Sequence, residues 1–291
     1  MRAVFGGIAI LRNLIGIAHG EAHGQVFLID LDDRRVVSRI VVREPGDAFT
    51  DAGALAIDAS CSLYVADTRN DLVRRYTAFG RQVLTYGQRV ERGPGAVERD
   101  RVGVLDRPRA VAEHAGALWV ACGDRKLLRG LQRFDLSTGE PLGFVRAFGE
   151  VDRRFGAPRG LVIDEVGVLL ADTLHGVIQR FTHTGRYVGE VPLGRGGDGA
   201  ARPIGVLRLD DGDLLVIDGA DLLRVSLSGA RRQLPAWPED AFVEPIALAR
   251  DAAGAIYVLD RHGERVQRLR ADLQYDGVVV DLQEVLGRLE E

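Results

Sequence analysis

Cysteine, lysine and methionine are all scarce in this chain of 291 residues. The sequence holds two cysteines, Cys61 and Cys122, together with a single methionine and a single lysine, Lys126. Two cysteines are too few for the disulfide framework of a small secreted domain, and they suit a reducing compartment as well as any other. Because nearly every basic residue is an arginine, any basic recognition surface must be made of arginine.

Long apolar runs are also lacking. No stretch approaches the ~20 apolar residues that a membrane-spanning helix needs. The apolar residues 3–11 are interrupted by glycines and followed by Arg12 and Asn13, without the small-residue cleavage pattern of a signal peptide, and therefore predict a strand of the mature protein. We expect a cytoplasmic protein that makes no membrane contact.

A large excess of charge of one sign is absent too. The net charge is -4, which gives no general attraction to nucleic acid or to anionic lipid. Hydrophobic residues make up 46% of the chain, which is ordinary for a globular protein with a sizeable core. The composition thus argues against a disordered chain and leaves the function open.

Short apolar runs that end in a polar residue recur six times. They are Ile15 to His19, Leu63 to Asp67, Leu118 to Cys122, Val168 to Asp172, Leu214 to Asp218 and Ile256 to Asp260. Their spacing of roughly 40 to 55 residues is the period of a four-stranded propeller blade. Short strands separated by polar turns predict an all-β fold, a six-bladed β-propeller with four-stranded antiparallel blades.

The repeats place the whole propeller in one domain over residues 1–281. We expect blades at about 1–45, 51–90, 106–150, 156–195, 201–240 and 243–281, with no strand exchanged between the two ends. In the fourth repeat, strands are predicted at 161–163, 168–171, 177–181 and 186–191. Residues 282–291 follow an Asp281-x-x-Glu284 capping pattern and predict a short amphipathic tail that packs on the propeller or on a partner.

Two segments resemble repeats of the NHL family. "APRGLVIDEVGVLLADTLHGVIQRFTHTGRYVGEV" and "GALAIDASCSLYVADTRNDLVRRYTAFGRQVLTYG" resemble the family pattern, in which Pro-x-Gly precedes a strand ending in Asp and a Val-x-x-Phe strand follows. The resemblance covers residues 51–281, while His19 and Cys122 replace the Asp in the first and third repeats. It implies a six-bladed propeller but no particular function, because the family includes both binding modules and enzymes.

The order of strands a to d in each blade divides the connections between two faces. The connections from strand d to the next strand a, and the loops from b to c, share what we call the upper face; the other turns form the lower face. Cys61 falls in an a-to-b turn and Cys122 at the far end of a strand b, so the two lie beyond the ~7 Å limit for a disulfide and are predicted to be free thiols.

Candidate binding residues collect on the upper face. They are Arg69, Arg109, Arg159, Asp67, Asp172, His175 and His262. Our interpretation is a non-catalytic scaffold that binds a protein or peptide around Arg109 and Arg159, next to the long connection from Gln88 to Arg107. No catalytic residue and no cofactor are assigned. The Asp that ends strand b is expected to fix a turn through backbone amides.

A metal-dependent lyase or hydrolase is the first alternative. The string Ala18-His19-Gly20-Glu21-Ala22-His23 resembles a metal-bearing segment of the peptidylglycine amidating lyases, which are also propellers and hold zinc at their centre. This resemblance implies that a metal, if one binds, is held by His19, Glu21 and His23, with His262 from the neighbouring blade. That family places histidines directly after the prolines, where this chain has Arg109, Arg159, Ile204 and Ile246, so the activity is not carried over.

Binding of single-stranded RNA is the second alternative. Ten arginines fall around blades two to four: Arg69, Arg74, Arg75, Arg89, Arg92, Arg107, Arg109, Arg153, Arg154 and Arg159. Acidic residues are interleaved with them, and aromatic residues, which stack on bases, make up only 6% of the chain. Nucleic acid is therefore not the expected partner, and the sequence leaves the oligomeric state and the ligand open.

Overall fold

The computed structural model describes residues 5–19, 24–41, 52–89, 102–123, 130–145, 157–194 and 201–287. The strands form six four-stranded antiparallel sheets, each made from four strands that are consecutive in the chain. The first strand of the first sheet contacts the first strands of both the second and the last sheet, which closes the sheets into a ring. The predicted six-bladed β-propeller is confirmed.

Blades one to three follow the predicted order of strands a, b, c and d. Blade one consists of Phe5–Leu11, Leu14–His19, Gln25–Asp30 and Arg35–Val41. Blade two consists of Ala52–Ile57, Leu63–Asp67, Leu72–Tyr76 and Gln82–Tyr86. Blade three consists of Pro108–His114, Ala117–Cys122, Gly130–Asp135 and Pro141–Val145.

Blades four to six repeat the same order, with a shorter outer strand in blade five. Blade four consists of Pro158–Asp164, Gly167–Asp172, Val177–Phe181 and Tyr187–Pro192. Blade five consists of Pro203–Arg208, Leu214–Asp218, Asp221–Val225 and Arg231–Arg232. Blade six consists of Pro245–Arg250, Ile256–Asp260, Arg265–Leu269 and Tyr275–Asp281, and helix α1, Leu282–Gly287, follows it.

The core lies between the blades. Strands b such as Leu63–Asp67 and Ile256–Asp260 are buried along their whole length, because neighbouring blades cover both of their faces. Such a strand is apolar throughout and lacks the alternation of a half-exposed strand. In one of these interfaces Trp119 of blade three packs in the same cluster as Leu170 and Phe181 of blade four. Each blade therefore needs its neighbour to bury its apolar side chains.

The innermost strands approach one another at glycine positions. A Cβ atom added at Gly160 would lie 2.9 Å from the Cα of Gly205 and 3.1 Å from the carbonyl oxygen of Ile204, both in the next blade. Contacts this short with backbone atoms cannot be relieved by turning a side chain. The glycine of the Pro-x-Gly motif thus allows strands a of blades four and five to pack closely at the centre of the ring.

The ring closes by packing between blades one and six. Strand a of blade one pairs with its own strand b, with Ile8 opposite Ile17, so the ends exchange no strand among the described residues. Ile8 shares one apolar cluster with Leu259 and Val280 of blade six. Leu282 and Val285 of helix α1 belong to the same cluster, so the helix adds to this junction.

Helix α1 begins as its capping pattern predicts. The carboxylate of Asp281 accepts a hydrogen bond of 3.1 Å from the backbone N–H of Glu284. Within the described part of the predicted tail, residues 282–287, the segment is helical and packs on the propeller. Residues 288–291 lie outside the described residues. No helix in the described ranges is both long and apolar enough to span a membrane.

The long connection from Gln88 to Arg107 is anchored at both ends, which the sequence did not predict. Gln88–Arg89 and Val104–Leu105 pair as two short parallel strands, and Leu105 is fully buried. The Gln132 side chain of blade three accepts a hydrogen bond of 2.7 Å from the N–H of Gly103 and donates one to the carbonyl of Val104. These contacts tie the end of the connection to blade three.

Replacement of Gly160 by alanine should destabilise the fold by about 1–3 kcal/mol, because the new methyl group forces two backbones apart. Urea unfolding measures the change in the free energy of unfolding. The matched control is Gly287→Ala, where an added Cβ would meet no atom of the described residues within 4 Å apart from the neighbouring backbone of its own helix. Equal stability of the two variants would contradict close contact between the innermost strands.

Replacement of Leu282 by alanine should lower the free energy of unfolding by about 2–5 kcal/mol, because this side chain is 1% exposed in the junction between blades one and six. Gln283→Ala, at an exposed position of the same helix, is the control and should have little effect. Thermal and urea unfolding measure both. A neutral Leu282→Ala variant would show that helix α1 does not contribute to ring closure.

Candidate functional site

A narrow channel at the centre of the ring is lined by the innermost strands of all six blades. Its cavity has a volume of about 80 Å³, room for only a few water molecules. The lining is mostly aliphatic, with Arg159 as the charged residue among the described residues that line it. Small-molecule sites are usually several times larger. A ligand would therefore contact the mouth of the channel, where loops and side chains of the upper face meet.

The residue after each proline lies in an irregularity of strand a. The pairing register shifts between Pro108 and Ala110, and between Pro158 and Leu161, with similar shifts in blades five and six. A β-bulge of this kind changes the direction of a side chain next to a functional opening. The bulges place Arg109 and Arg159 at equivalent positions of neighbouring blades, whereas Ile204 and Ile246 occupy those positions in blades five and six.

The two arginines differ in exposure. Arg159 is exposed, whereas Arg109 is half-buried and its Nε atom is buried. Each follows a proline whose register partner is the last residue of strand b, Cys122 for Pro108 and Asp172 for Pro158. The mouth is therefore asymmetric, cationic at blades three and four and apolar at blades five and six.

The Asp that ends strand b anchors the segment leading into its own blade. The Asp260 carboxylate accepts hydrogen bonds of 2.9 Å from the N–H groups of Val243 and Glu244, directly before Pro245. Asp172 and Asp218 accept equivalent bonds from Ala157 and Arg202. In blades four to six, this recurring Asp therefore accepts hydrogen bonds from backbone amides, as predicted. The amides belong to the connection before the blade as well as to the loop after strand b.

Asp67 of blade two instead pairs with a buried cation. Its carboxylate accepts a hydrogen bond of 2.9 Å from Nε of Arg74, whose side chain is 3% exposed, and two bonds of 2.9 Å from the amide of Asn70. Burial raises the pKa of Asp67, and the hydrogen bonds from Asn70 and the charge of Arg74 oppose that shift. The grouping of Arg74 with the arginines of a possible RNA surface was wrong, because a guanidinium with 3% exposure is inside the blade.

Asp172 of blade four holds a histidine. Nδ1 of His175 lies 2.7 Å from Oδ2 of Asp172, and the carboxylate also accepts a bond of 2.8 Å from the amide of Gln179. The carboxylate is fully buried, whereas the imidazole is 36% exposed. The imidazole thus reaches the surface while its Nδ1 atom contacts a buried carboxylate. The sequence placed both residues on the upper face but did not predict that they touch.

The other candidate residues are spread over the upper face. Arg69 and His262 are exposed, and His19 is buried at the end of its strand. Glu21 and His23 lie outside the described residues. Among the residues that the structure does describe, no three His, Cys, Asp or Glu side chains converge as metal ligands would. The possible metal site around His19 therefore stays a hypothesis from the sequence.

The two cysteines are free, as predicted. Cys61 is half-buried and Cys122 is buried. Burial raises the pKa of the Cys122 thiol to about 12, so it stays protonated at neutral pH and is a poor nucleophile. Cys122 thus packs as a small apolar residue in the position that Asp occupies in other blades.

Threonines next to the strand-end Asp connect neighbouring blades, which the sequence analysis did not detect. The hydroxyl of Thr68 donates a bond of 2.8 Å to the carbonyl of Pro108, and that of Thr173 donates one of 2.6 Å to the carbonyl of Pro203. The signal was the repeated Asp-Thr pair. Each such bond fixes the proline of the next blade, and with it the position of the residue in the bulge.

These features define a six-bladed β-propeller with a polar, asymmetric mouth on its upper face. No protein-family model matches the chain, and no curated protein matches it in sequence. Solved structures are similar over nearly the whole chain. A streptogramin B lyase has a TM-score of 0.64 at 14% identity, covering 95% of this chain and 83% of that one.

Two further structures show the same likeness. Virginiamycin B lyase from Staphylococcus aureus has a TM-score of 0.63 at 16% identity, covering 94% of this chain and 83% of that one. A protein of unknown function from Bacteroides caccae has a TM-score of 0.61 at 12% identity, covering 95% of this chain and 96% of that one. At these identities the likeness shows the fold alone.

Replacement of Asp67 by asparagine should lower the free energy of unfolding by about 3–5 kcal/mol, because it leaves the buried Arg74 without its carboxylate. The matched control is Asp33→Asn, whose partner Arg35 lies 3.2 Å away in a pair with both side chains exposed. That change should cost less than about 1 kcal/mol. Urea unfolding compares the two, and equal losses would contradict a structural role for the Asp67–Arg74 pair.

Proposed function

We propose that the protein is a binding platform whose upper face takes an acidic segment of a protein or peptide at the channel mouth. Arg109 and Arg159 supply the cations, and Ile204 and Ile246 supply apolar contacts on the other side of the mouth. The observation that carries this proposal is the placement of both arginines in the bulges of two neighbouring blades.

The rigidity of the mouth supports recognition. Strand-end carboxylates and the threonine bonds fix the segments around the prolines, so the two arginine backbones are held before a ligand arrives. A preorganised site loses less conformational entropy on binding. Guanidinium groups suit carboxylates because their planar forks pair with both oxygens. The small channel supports a ligand that lies across the mouth rather than one that enters it.

The type of repeat, the cellular location and the kind of partner inferred from the sequence are also part of this proposal. An NHL-type propeller is supported by the Pro-x-Gly and strand-end Asp patterns. A cytoplasmic location stays a prediction from the sequence, as does a protein or peptide partner rather than nucleic acid. The burial of Arg74 removes one arginine from the RNA alternative.

A metal-dependent lyase is the second candidate. It is favoured by the structural neighbours, two of which are lyases, and by a catalytically inactive virginiamycin B lyase with quinupristin, similar at 15% identity with a TM-score of 0.64. His19, Glu21, His23 and His262 are the residues that could hold a metal in this chain. Zinc at one equivalent in the purified protein would support this candidate over simple binding.

Charge reversal at both mouth arginines, Arg109→Glu with Arg159→Glu, should weaken binding of an acidic ligand at least about tenfold, because both cations become repulsive. The probe is a fluorescein-labelled hexaglutamate peptide at low salt, followed by anisotropy, together with any partner that co-purifies with the unmodified protein. The melting temperature checks that the fold persists.

The control carries the same charge change on the lower face, with Arg81→Glu and Arg186→Glu at two exposed positions. This double variant should bind the peptide almost as well as the unmodified protein. If the two double variants lose affinity equally, the binding is a general charge effect. If neither loses affinity, the binding surface is not at the mouth.

A further inference from the structure

The loop after strand b of blade four brings a histidine to the buried carboxylate, which the loops of blades two and six do not. In blade two, the carboxylate of Asp67 meets the guanidinium of Arg74. The position of Arg74 is taken by Gln179 in blade four and by Gln267 in blade six. The partners of the Asp172 carboxylate include the Gln179 amide and the ring of His175.

The fold needs only a hydrogen-bond donor where His175 stands. In blade two the equivalent residue, three positions after the strand-end Asp, is Asn70, and its amide donates two bonds of 2.9 Å to Asp67. In blade six the equivalent residue is Gly263, which donates only its backbone N–H, at 3.2 Å, to Asp260. An imidazole thus supplies more than the turn requires, namely a second ring nitrogen.

We propose that the Asp172–His175 pair is a catalytic acid–base site that hydrolyses small acyl esters on the upper face of blade four. His175 is the catalytic base, and Asp172 is a positioning residue. The buried carboxylate accepts the proton on Nδ1, which fixes the neutral tautomer with its lone pair on Nε2 and stabilises the imidazolium that forms during reaction. This activity goes beyond partner binding and rests on the Asp172–His175 pair, with Arg159 shared between the two proposals.

The chemistry balances with water as the second reactant. Nε2 of His175 takes a proton from a water molecule while the water oxygen forms a bond to the acyl carbon of the ester. The bond between the acyl carbon and the alcohol oxygen then breaks, and the leaving oxygen takes the proton back from Nε2. The products are a carboxylic acid and an alcohol, and the neutral imidazole is restored.

Two neighbours of the pair suggest the kind of ester. Arg159 follows Pro158, the register partner of Asp172, so a guanidinium leaves the same corner of blade four and suits the negative charge that develops on the acyl oxygen. Leu174, directly before His175, is 62% exposed. An ester with an apolar or aromatic alcohol would contact it.

The test uses p-nitrophenyl acetate with the full-length protein. His175→Asn copies the residue of blade two, so the turn should survive while the base is lost. The rate of hydrolysis above the buffer background should fall ~100-fold or more, the lower end of what a general base contributes. His114→Asn, the same substitution at a histidine on the lower face, is the control and should keep most of the rate.

The mechanism has two further readouts. The rate of the unmodified protein should be slower in deuterated water because a proton moves in the rate-limiting step. Nitrogen NMR of the histidine rings should find His175 with its proton on Nδ1. A proton on Nε2, or equal losses in the two variants, would overturn the proposal.

This result is separable from the proposed binding function. If hydrolysis is lost in His175→Asn but the peptide still binds, both proposals stand. If the peptide does not bind the unmodified protein but hydrolysis depends on His175, only the binding function fails. If the peptide binds and hydrolysis does not depend on His175, only the catalytic proposal fails.

Discussion

The buried carboxylate at the end of strand b is the interaction on which the upper face depends. A buried charge is costly unless hydrogen bonds surround it, and blades two, four and six meet this requirement with groups from their own strands and connections. In blades four to six, the amides directly before the proline are among the donors. The carboxylate thereby fixes where strand a begins and where the bulge places its side chain. These carboxylates therefore determine the position of the backbone around the mouth of the channel.

Variation in the partners of this carboxylate distinguishes blades that share one backbone plan. Arg74 neutralises Asp67 inside blade two, which makes that site structural. Asp260 is satisfied mainly by amides. Asp172 faces the half-exposed ring of His175, and this is the blade in which an exposed arginine occupies the bulge. The repeats share one backbone arrangement because the fold requires it, but the exposed arginine and the histidine–carboxylate contact occur together in blade four.

The fold could be predicted from the sequence because its causes are local and repeated. Strand c of blade four was predicted at 177–181 and is Val177–Phe181, since a short apolar run between two polar turns has one interpretation. The site was harder to predict. Whether an arginine such as Arg74 faces solvent or a buried carboxylate depends on side-chain packing that spacing does not reveal. The contact between Asp172 and His175 could not be predicted either, because Asn70 and Gly263 occupy the same position of the turn in blades two and six.

Hydrogen exchange of the backbone amides tests the central claim most directly. The N–H groups of Ala157, Arg202, Val243 and Glu244 lie in connections, where amides usually exchange quickly, yet each donates to the carboxylate that ends a strand b. The account predicts that these amides are protected nearly as well as those of the strands, and that Asp260→Asn weakens protection at Val243 and Glu244 first. Exchange at the rate of an unstructured peptide in the unmodified protein would show that the carboxylates do not hold the upper face.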